Sequence, residues 1–205
     1  MARKTRSFAD CRMSRSVGPA DGIYFVGLPA WLTEKTLTSL QQEGVRQRAT
    51  AEHIRAQYFG DIGPVAKALI GSPGLQEFVT KNSVPARASG FANYRYYDIR
   101  ESQVRPHVDN DNFALNLIVM LAHVYGLVRR SGLLLFPRGP DDPVAIGLEP
   151  GEVILFNAKD LIHARTPISE DGCERAVNLG IGFTPESPLT CYQYWHPETG
   201  WHSGL

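Results

Sequence analysis

The pattern of apolar and polar positions changes after about residue 80 of the chain. Beyond that point, short segments rich in β-branched and aromatic residues are separated by Gly, Pro, Asp and Asn, which is typical of strands joined by turns. The predicted strands are Phe91–Ile99, Val104–Asp109, Phe113–Ala122, Leu133–Phe136, Val144–Ile146, Glu152–Phe156 and Ala176–Phe183. This order predicts a mainly β fold, a cupin-like jelly-roll barrel or sandwich, with its core over residues 91–185.

The part of the chain before these strands has a helical pattern. Ile23–Leu28 is apolar enough for a first strand, and Pro29 ends it. Thr33–Gln42 begins with a capping Thr and has leucines at helical spacing, and Ser72-Pro73 is a helix start before Leu75–Thr80. Thr50 likewise predicts a helix over Ala51–Tyr58. We therefore expect a helix-rich region over residues 30–82 that packs on one side of the barrel.

The two ends of the chain differ from this core. Residues 1–20 are rich in Arg, Lys and Ser without apolar periodicity, which predicts a mobile basic tail. Residues 186–205 form an aromatic segment that could cap a pocket, pack on the helices or meet another subunit, and packing is the favoured interpretation. Residues 21–205 are within the size of one domain, so a single domain is expected.

Composition narrows the class of partner. Lys plus Arg and Asp plus Glu number 21 each, so the chain lacks the net positive charge of a nucleic-acid binder and gives no reason to expect a membrane partner. The 3 cysteines have no CxxC spacing, and the apolar runs are too short to span a bilayer. A cytoplasmic protein with a small-molecule partner is predicted, and its oligomeric state is left open.

The candidate chemistry begins at His107 and Asp109. In an extended strand, residues two apart point to the same side, so this imidazole and carboxylate would supply two of the three ligands of a facial metal site. A lone His-x-Asp is common and carries little weight. Here it is followed by Gly132-Leu133, by Pro150-Gly151 with an apolar strand ending at Phe156, by His163-x-x-Thr166-Pro167 and by Arg175. His163 is the candidate for the third ligand.

Over residues 91–185, this ordered set of motifs resembles the Fe(II)- and 2-oxoglutarate-dependent oxygenases, especially the compact prolyl-hydroxylase-like group. The resemblance implies a double-stranded β-helix on which His107, Asp109 and His163 bind Fe(II). It also implies that Arg175 binds the distal carboxylate of 2-oxoglutarate and that O2 is the oxidant. Because halogenating relatives replace the carboxylate that Asp109 retains, hydroxylation or a related C–H oxidation is expected, on a small metabolite or amino acid.

Other site residues are less determined by the sequence. The family's Tyr-x-x-Gly pattern is absent, so Tyr94 and Tyr96 are the candidates for contacting the cosubstrate, with ordinary packing as the alternative. Asn116 lies in an apolar strand, needs a partner for its amide and is a further candidate contact.

Arg105 and Arg165 lie two residues from proposed ligands and raise the hypothesis of an anionic substrate. Ion pairs with Asp98, Asp111 or Asp160 at the rim are the alternative for both.

Three other functions remain open at this point. The same iron site could hydroxylate a protein residue, although the chain has no recognisable peptide-docking module. A non-catalytic β-barrel module could bind a ligand, but a pure binder needs no open metal positions. A cupin-like metalloenzyme without 2-oxoglutarate would explain the histidines and leave Arg175 without a role.

Overall fold

The computed structural model of the chain describes residues 17–100, 102–125, 131–168, 173–187 and 189, and the backbone of 193–196 and 200–203. The helices among them are α1 (Glu34–Gln47), α2 (Pro64–Ile70) and α3 (Pro73–Asn82). The strands are β1 (Ile23–Gly27), β2 (Glu52–Ile54), β3 (Gln57–Gly60), β4 (Ala86–Tyr97), β5 (Val104–His107), β6 (Leu115–Val124), β7 (Leu133–Leu135), β8 (Val144–Ile146), β9 (Val153–Asn157), β10 (His163–Arg165), β11 (Arg175–Pro185), β12 (Gln193–His196) and β13 (Gly200–Ser203).

The strands of the described residues form two main antiparallel sheets. The larger has the order β1-β9-β6-β11-β4-β3-β2 and the smaller the order β5-β10-β7-β8. Strands β4 to β11 pass back and forth between the two sheets, which is the jelly-roll connectivity that the sequence predicted. The mainly β fold with N-terminal helices is therefore confirmed.

Alternation along the larger sheet divides the core into two layers. On β6, Leu115, Leu117, Val119 and Leu121 are buried towards the helices, in a cluster that also contains Leu40 and other helix residues. The residues between them on β6, Ile118 and Met120, pack in a second cluster with residues of the smaller sheet. The helices thus cover one face of the larger sheet, and the barrel interior lies on its other face.

The predicted caps explain the helix starts. The Thr33 hydroxyl accepts a hydrogen bond from the Thr36 amide at 3.2 Å, and Ser72 caps α3 in the same way. Helix α1 continues beyond the predicted end to Gln47 because Gly44 lies inside it, packed against Tyr94. A Cβ at position 44 would come 3.3 Å from the Tyr94 ring, so this glycine allows the helix to approach the sheet closely.

The helix predicted over Ala51–Tyr58 is wrong. This segment forms the β2–β3 hairpin, with Arg55 at a φ of 60° in the connecting turn. Strand β3 pairs with the edge of β4, where Tyr58 lies opposite Tyr96, and the Arg48 guanidinium lies 3.6 Å from the centre of the Tyr58 ring. Pairing with a distant strand outweighed the weak local helix preference.

The two termini are only partly described. Of the expected tail, residues 1–16 lie outside the described residues, whereas Pro19–Asp21 forms a 3-10 turn that leads into β1. In the aromatic C-terminal segment, β12 and β13 pair as an antiparallel hairpin. No helix among the described residues is long and apolar enough to cross a membrane.

Candidate metal and cosubstrate site

The smaller sheet brings the three predicted metal ligands together. His107 ends β5 and His163 begins β10, and these two residues lie opposite each other in the antiparallel pair, with ring centres 4.2 Å apart. Asp109 follows two residues after His107, and its backbone amide donates to the Ala158 carbonyl at 2.7 Å. One ligand atom from each of the three side chains lies within 4.8 Å of the others.

The hydrogen bonds of the two imidazoles orient them for metal binding. Nδ1 of His107 lies 2.9 Å from the Arg105 carbonyl oxygen, and Nδ1 of His163 lies 3.0 Å from that of Leu161. A proton on each Nδ1 satisfies these carbonyls and leaves a lone pair on each Nε2. Both Nε2 atoms face Oδ1 of Asp109, at 3.4 Å from His107 and 3.7 Å from His163.

The carboxylate ligand is held by Asn116 on β6. The Asn116 amide donates to Oδ2 of Asp109 at 2.7 Å, which leaves Oδ1 directed at the imidazoles. The sequence made Asn116 a candidate for contacting the cosubstrate. In the structure the Asn116 side chain is fully buried and hydrogen-bonds to Asp109. Asn116 therefore positions Asp109, as partners outside the ligand set commonly do in metal sites.

The pKa values of the ligands suit a divalent metal. Burial alone would raise the pKa of Asp109, but the neighbouring His107 and His163 rings, the Arg95 charge and the Asn116 amide lower it to about 2. Burial lowers the pKa of His163 to about 4, against the opposing effect of Asp109. An ionised carboxylate and a neutral imidazole at neutral pH are the states in which these groups bind metals. Two imidazoles and one carboxylate fit a ferrous ion and leave further coordination positions open.

The triad lies in the wall of a cavity of about 240 Å³ between the two sheets. Arg165, the last residue of β10, lines this cavity and is 6% exposed, with its guanidinium carbon 4.4 Å from the centre of the Tyr97 ring. His123 lines the cavity as well, and its Nε2 lies 2.8 Å from the buried carboxylate of Glu174. The cavity therefore contains a buried cation on the same strand as the metal ligand His163.

The structure does not bring every predicted residue into this cavity. Arg175 is exposed at the start of β11, and its neighbour Glu174 is the buried one, so the placement of Arg175 argues against the predicted cosubstrate role. Arg105 is also exposed and does not line the cavity. Arg165 does line the cavity and is buried; the sequence had raised substrate binding for this residue as a hypothesis, with an ion pair at the rim as the alternative.

The tyrosines predicted to contact the cosubstrate point away from the cavity. Tyr94 and Tyr96 share one face of β4, as expected, but that face is covered by helix α1. The Tyr94 hydroxyl donates to Glu43 at 2.8 Å and the Tyr96 hydroxyl donates to the Gly44 carbonyl at 2.7 Å. Packing, the alternative that the sequence left open, accounts for both side chains.

Sequence reasoning missed the residues on the other face of the same strand. Asn93, Arg95 and Tyr97 alternate along β4 and line the cavity, and Asn178 on β11 lines it beside them. The signal was present as polar side chains two residues apart in an otherwise apolar strand, and as an asparagine within the apolar strand β11. The alternation alone did not show which face of β4 lines the barrel interior.

Neither a protein-family model nor a curated protein sequence matches the chain. The chain does match solved structures. The α-ketoglutarate-dependent epimerase SnoN from nogalamycin biosynthesis matches with a TM-score of 0.62 and 15% identity, over 81% of this chain and 77% of that one. A prolyl-4-hydroxylase from Pseudomonas putida gives 0.60 and 14%, over 78% and 92%. HygX from Streptomyces hygroscopicus, with nickel and 2-oxoglutarate bound, gives 0.61 and 13%, over 81% and 84%. At such identities the likeness shows the fold, and the predicted double-stranded β-helix of these oxygenases is confirmed.

Proposed function

We propose that the protein is an Fe(II)- and 2-oxoglutarate-dependent oxygenase that oxidises a C–H bond of a small molecule. The observation that carries this proposal is the convergence of His107, Asp109 and His163 in the wall of a cavity that also contains a buried arginine. SnoN in complex with Fe3+ and α-ketoglutarate, and HygX with nickel and 2-oxoglutarate, support it as proteins of the same fold.

The three ligands hold the iron in this proposal. Bound iron and 2-oxoglutarate supply the oxidising chemistry, in which decarboxylation of the cosubstrate is coupled to reduction of O2. The hydrogen bonds between Nδ1 and a backbone carbonyl hold the rings of His107 and His163 with Nε2 turned towards the metal position. Asn116 holds Asp109 so that one carboxylate oxygen faces the metal, and the ligands are thereby positioned before the metal arrives.

Arg165 replaces Arg175 as the proposed anchor of the distal carboxylate of 2-oxoglutarate. Arg165 lies two residues after His163 on β10, a distance of about 7 Å along an extended strand. That separation suits a five-carbon dicarboxylate whose other end chelates the metal. The planar guanidinium matches a carboxylate bidentately, and its stacking on Tyr97 holds its plane. The proposed aromatic wall of the cosubstrate site is accordingly Tyr97, rather than Tyr94 or Tyr96.

A small-molecule substrate is favoured over a protein residue. The candidate metal ligands line a cavity between the two sheets, and the neighbour SnoN, a protein of nogalamycin biosynthesis, has a structure in complex with nogalamycin RO. The Pseudomonas putida neighbour is a prolyl-4-hydroxylase, so hydroxylation of a protein residue on the same iron site is the second candidate.

The test of the proposed function is anaerobic addition of Fe(II) and 2-oxoglutarate to the purified protein. A weak visible charge-transfer band from the metal–cosubstrate chelate is expected, and it should disappear in His163→Ala. Absence of the band in folded wild-type protein would refute the proposal.

Arginine variants test the two anchors against each other. Arg165→Leu should weaken 2-oxoglutarate binding by about tenfold or more, because a charge-assisted bidentate pair is lost. Arg175→Leu is the matched control and should bind 2-oxoglutarate like the wild type. The reverse result would return the role to Arg175.

A further inference from the structure

Arg95 on β4 is a cavity cation to which the proposed metal and cosubstrate sites assign no role. In the larger sheet it lies directly opposite Phe59 of β3 on one side and Asn178 of β11 on the other. Arg95, Phe59 and Asn178 all line the cavity, so their side chains form one row across its wall.

Gly180 makes room for the Arg95 side chain. A Cβ at position 180 would come 2.6 Å from Nη2 and 2.7 Å from Cζ of Arg95, so the guanidinium lies flat against the bare backbone of β11. Its Nε donates to Oδ1 of Asn93 at 2.8 Å, and its Cζ lies 5.4 Å from the centre of the Phe113 ring. These contacts fix the plane of the guanidinium through Nε, and the Nη groups are the ones that can reach a ligand.

Among the residues that the structure describes, no carboxylate lies within 4.0 Å of the Arg95 guanidinium. Asp109 does not pair with Arg95 either, because Oδ1 of Asp109 faces His107 and His163 and Oδ2 accepts from Asn116. Arg95 is half-buried in the cavity wall, so its charge is available to an anionic group that enters the cavity.

Asn178 points to a ligand at the same position. Its side chain is 2% exposed, and its Oδ1 has no hydrogen-bond partner among the described residues. Buried amide oxygens normally accept a hydrogen bond, so an amide oxygen without a partner in a cavity wall points to a group that binds there. Because the two amide positions of an asparagine can exchange by rotation, Asn178 can present either a donor or an acceptor beside Arg95.

We propose that Arg95 binds a carboxylate of the primary substrate, with Asn178 hydrogen-bonding next to it and Phe59 and Phe113 contacting the apolar part of the molecule. This inference rests on the proposed function and names its substrate class as a small apolar or aromatic carboxylic acid. Arg165 lies at the buried end of the cavity beside Tyr97, whereas Arg95 reaches over Gly180 towards Phe113 and the metal ligands. The two arginines thus serve two different carboxylates.

The experiment is calorimetric titration of protein loaded with Ni(II) and 2-oxoglutarate. The probes are benzoate, phenylacetate, 3-phenylpropanoate and indole-3-acetate, each paired with its primary carboxamide. At least one acid should bind the wild type about tenfold or more tightly than its amide, and Arg95→Gln should remove that preference. Arg105→Gln, which removes an exposed arginine outside the cavity, should keep it.

Gly180→Ala is the second variant. It keeps the net charge but pushes the guanidinium off the backbone, so it should reduce the preference for the acid while the protein stays folded. A preference for the acid that survives in both Arg95→Gln and Gly180→Ala would overturn the proposal, as would a wild type that prefers no acid over its amide.

The chelate band separates this proposal from the proposed function. If Arg95→Gln loses 2-oxoglutarate binding while Arg165→Leu retains it, Arg95 is the cosubstrate anchor and the substrate assignment is wrong. If the wild type itself gives no band, it is the proposed function that fails.

Discussion

Replacing Asn116 with Ala tests whether the metal site depends on a partner outside the ligand set. The bond from Asn116 to Asp109 is 2.7 Å long, buried and charge-assisted. Hydrogen bonds to charged groups contribute about 1.5–3 kcal/mol. Loss of such a partner in metal sites commonly weakens metal binding by about 10- to 100-fold, or about 1.4–2.8 kcal/mol. The two magnitudes agree, so a loss within that range is expected.

The metal-free protein should respond differently. Oδ1 of Asn116 is buried with no hydrogen-bond partner among the described residues, so Asn116→Ala removes an unsatisfied group as well as a bond. These effects oppose each other and are of similar size. We therefore expect a small change in the thermal unfolding midpoint without metal, and a clear loss of stabilisation when metal is added.

The assay is titration with Mn(II) near neutral pH, followed by electron paramagnetic resonance. Asn178→Ala is the matched control, because Asn178 is also a buried strand asparagine of the cavity region but makes no hydrogen bond to a metal ligand. If Asn116→Ala binds Mn(II) within about threefold of the wild type, or if Asn178→Ala loses as much affinity, the positioning role of Asn116 is refuted.

Three further changes probe the fold around the site. Glu43 accepts hydrogen bonds from backbone amides of helix α2 and from the Tyr94 hydroxyl, and these bonds lower its pKa against the effect of burial. Glu43→Gln should therefore lower the free energy of unfolding, measured in urea, by about 3 kcal/mol. Because the folded pKa is below the ordinary value of 4.5, this stabilisation is present above that pH and should be lost as the pH falls below it. Tyr94→Phe should cost about 1–2 kcal/mol in the same assay and leave 2-oxoglutarate binding unchanged; weakened binding would mean that Tyr94 does reach the cosubstrate. A Cβ in Gly182→Ala would overlap the Asn112 carbonyl in the turn after Asp109, so both thermal stability and Mn(II) affinity should fall, the former by about 1–3 kcal/mol.

The first two candidate metal ligands were accessible from the sequence because their spacing is local, and the family resemblance added His163. Two residues apart on an extended segment, His107 and Asp109 were expected to point the same way, and the resemblance to the oxygenases implied His163 as the third ligand. The structure supplies what the spacing could not, namely that His107 and His163 are direct neighbours across two paired strands.

The cavity arginines show where this reasoning stops. The motif order favoured Arg175, but at the start of β11 it is Glu174 that is buried and Arg175 that is exposed. A shift of one residue moves a side chain to the opposite face of a sheet. The two faces of β4 differ in the same way. Tyr94 and Tyr96 pack against α1, whereas their neighbours on the opposite face line the cavity, namely Asn93, Arg95 and Tyr97.

By itself the sequence determined most of the barrel strands, the capped helices α1 and α3, and the spacing of His107 and Asp109, because each depends on neighbours within a few residues. Tertiary structure decided which face of β4 and β11 looks into the barrel, and it turned residues 52–60 into a hairpin on the edge of β4. Alternation determines which side chains share a face but not which face is enclosed. That choice depends on packing between the two sheets and the helices, whose contacting residues are far apart in the chain.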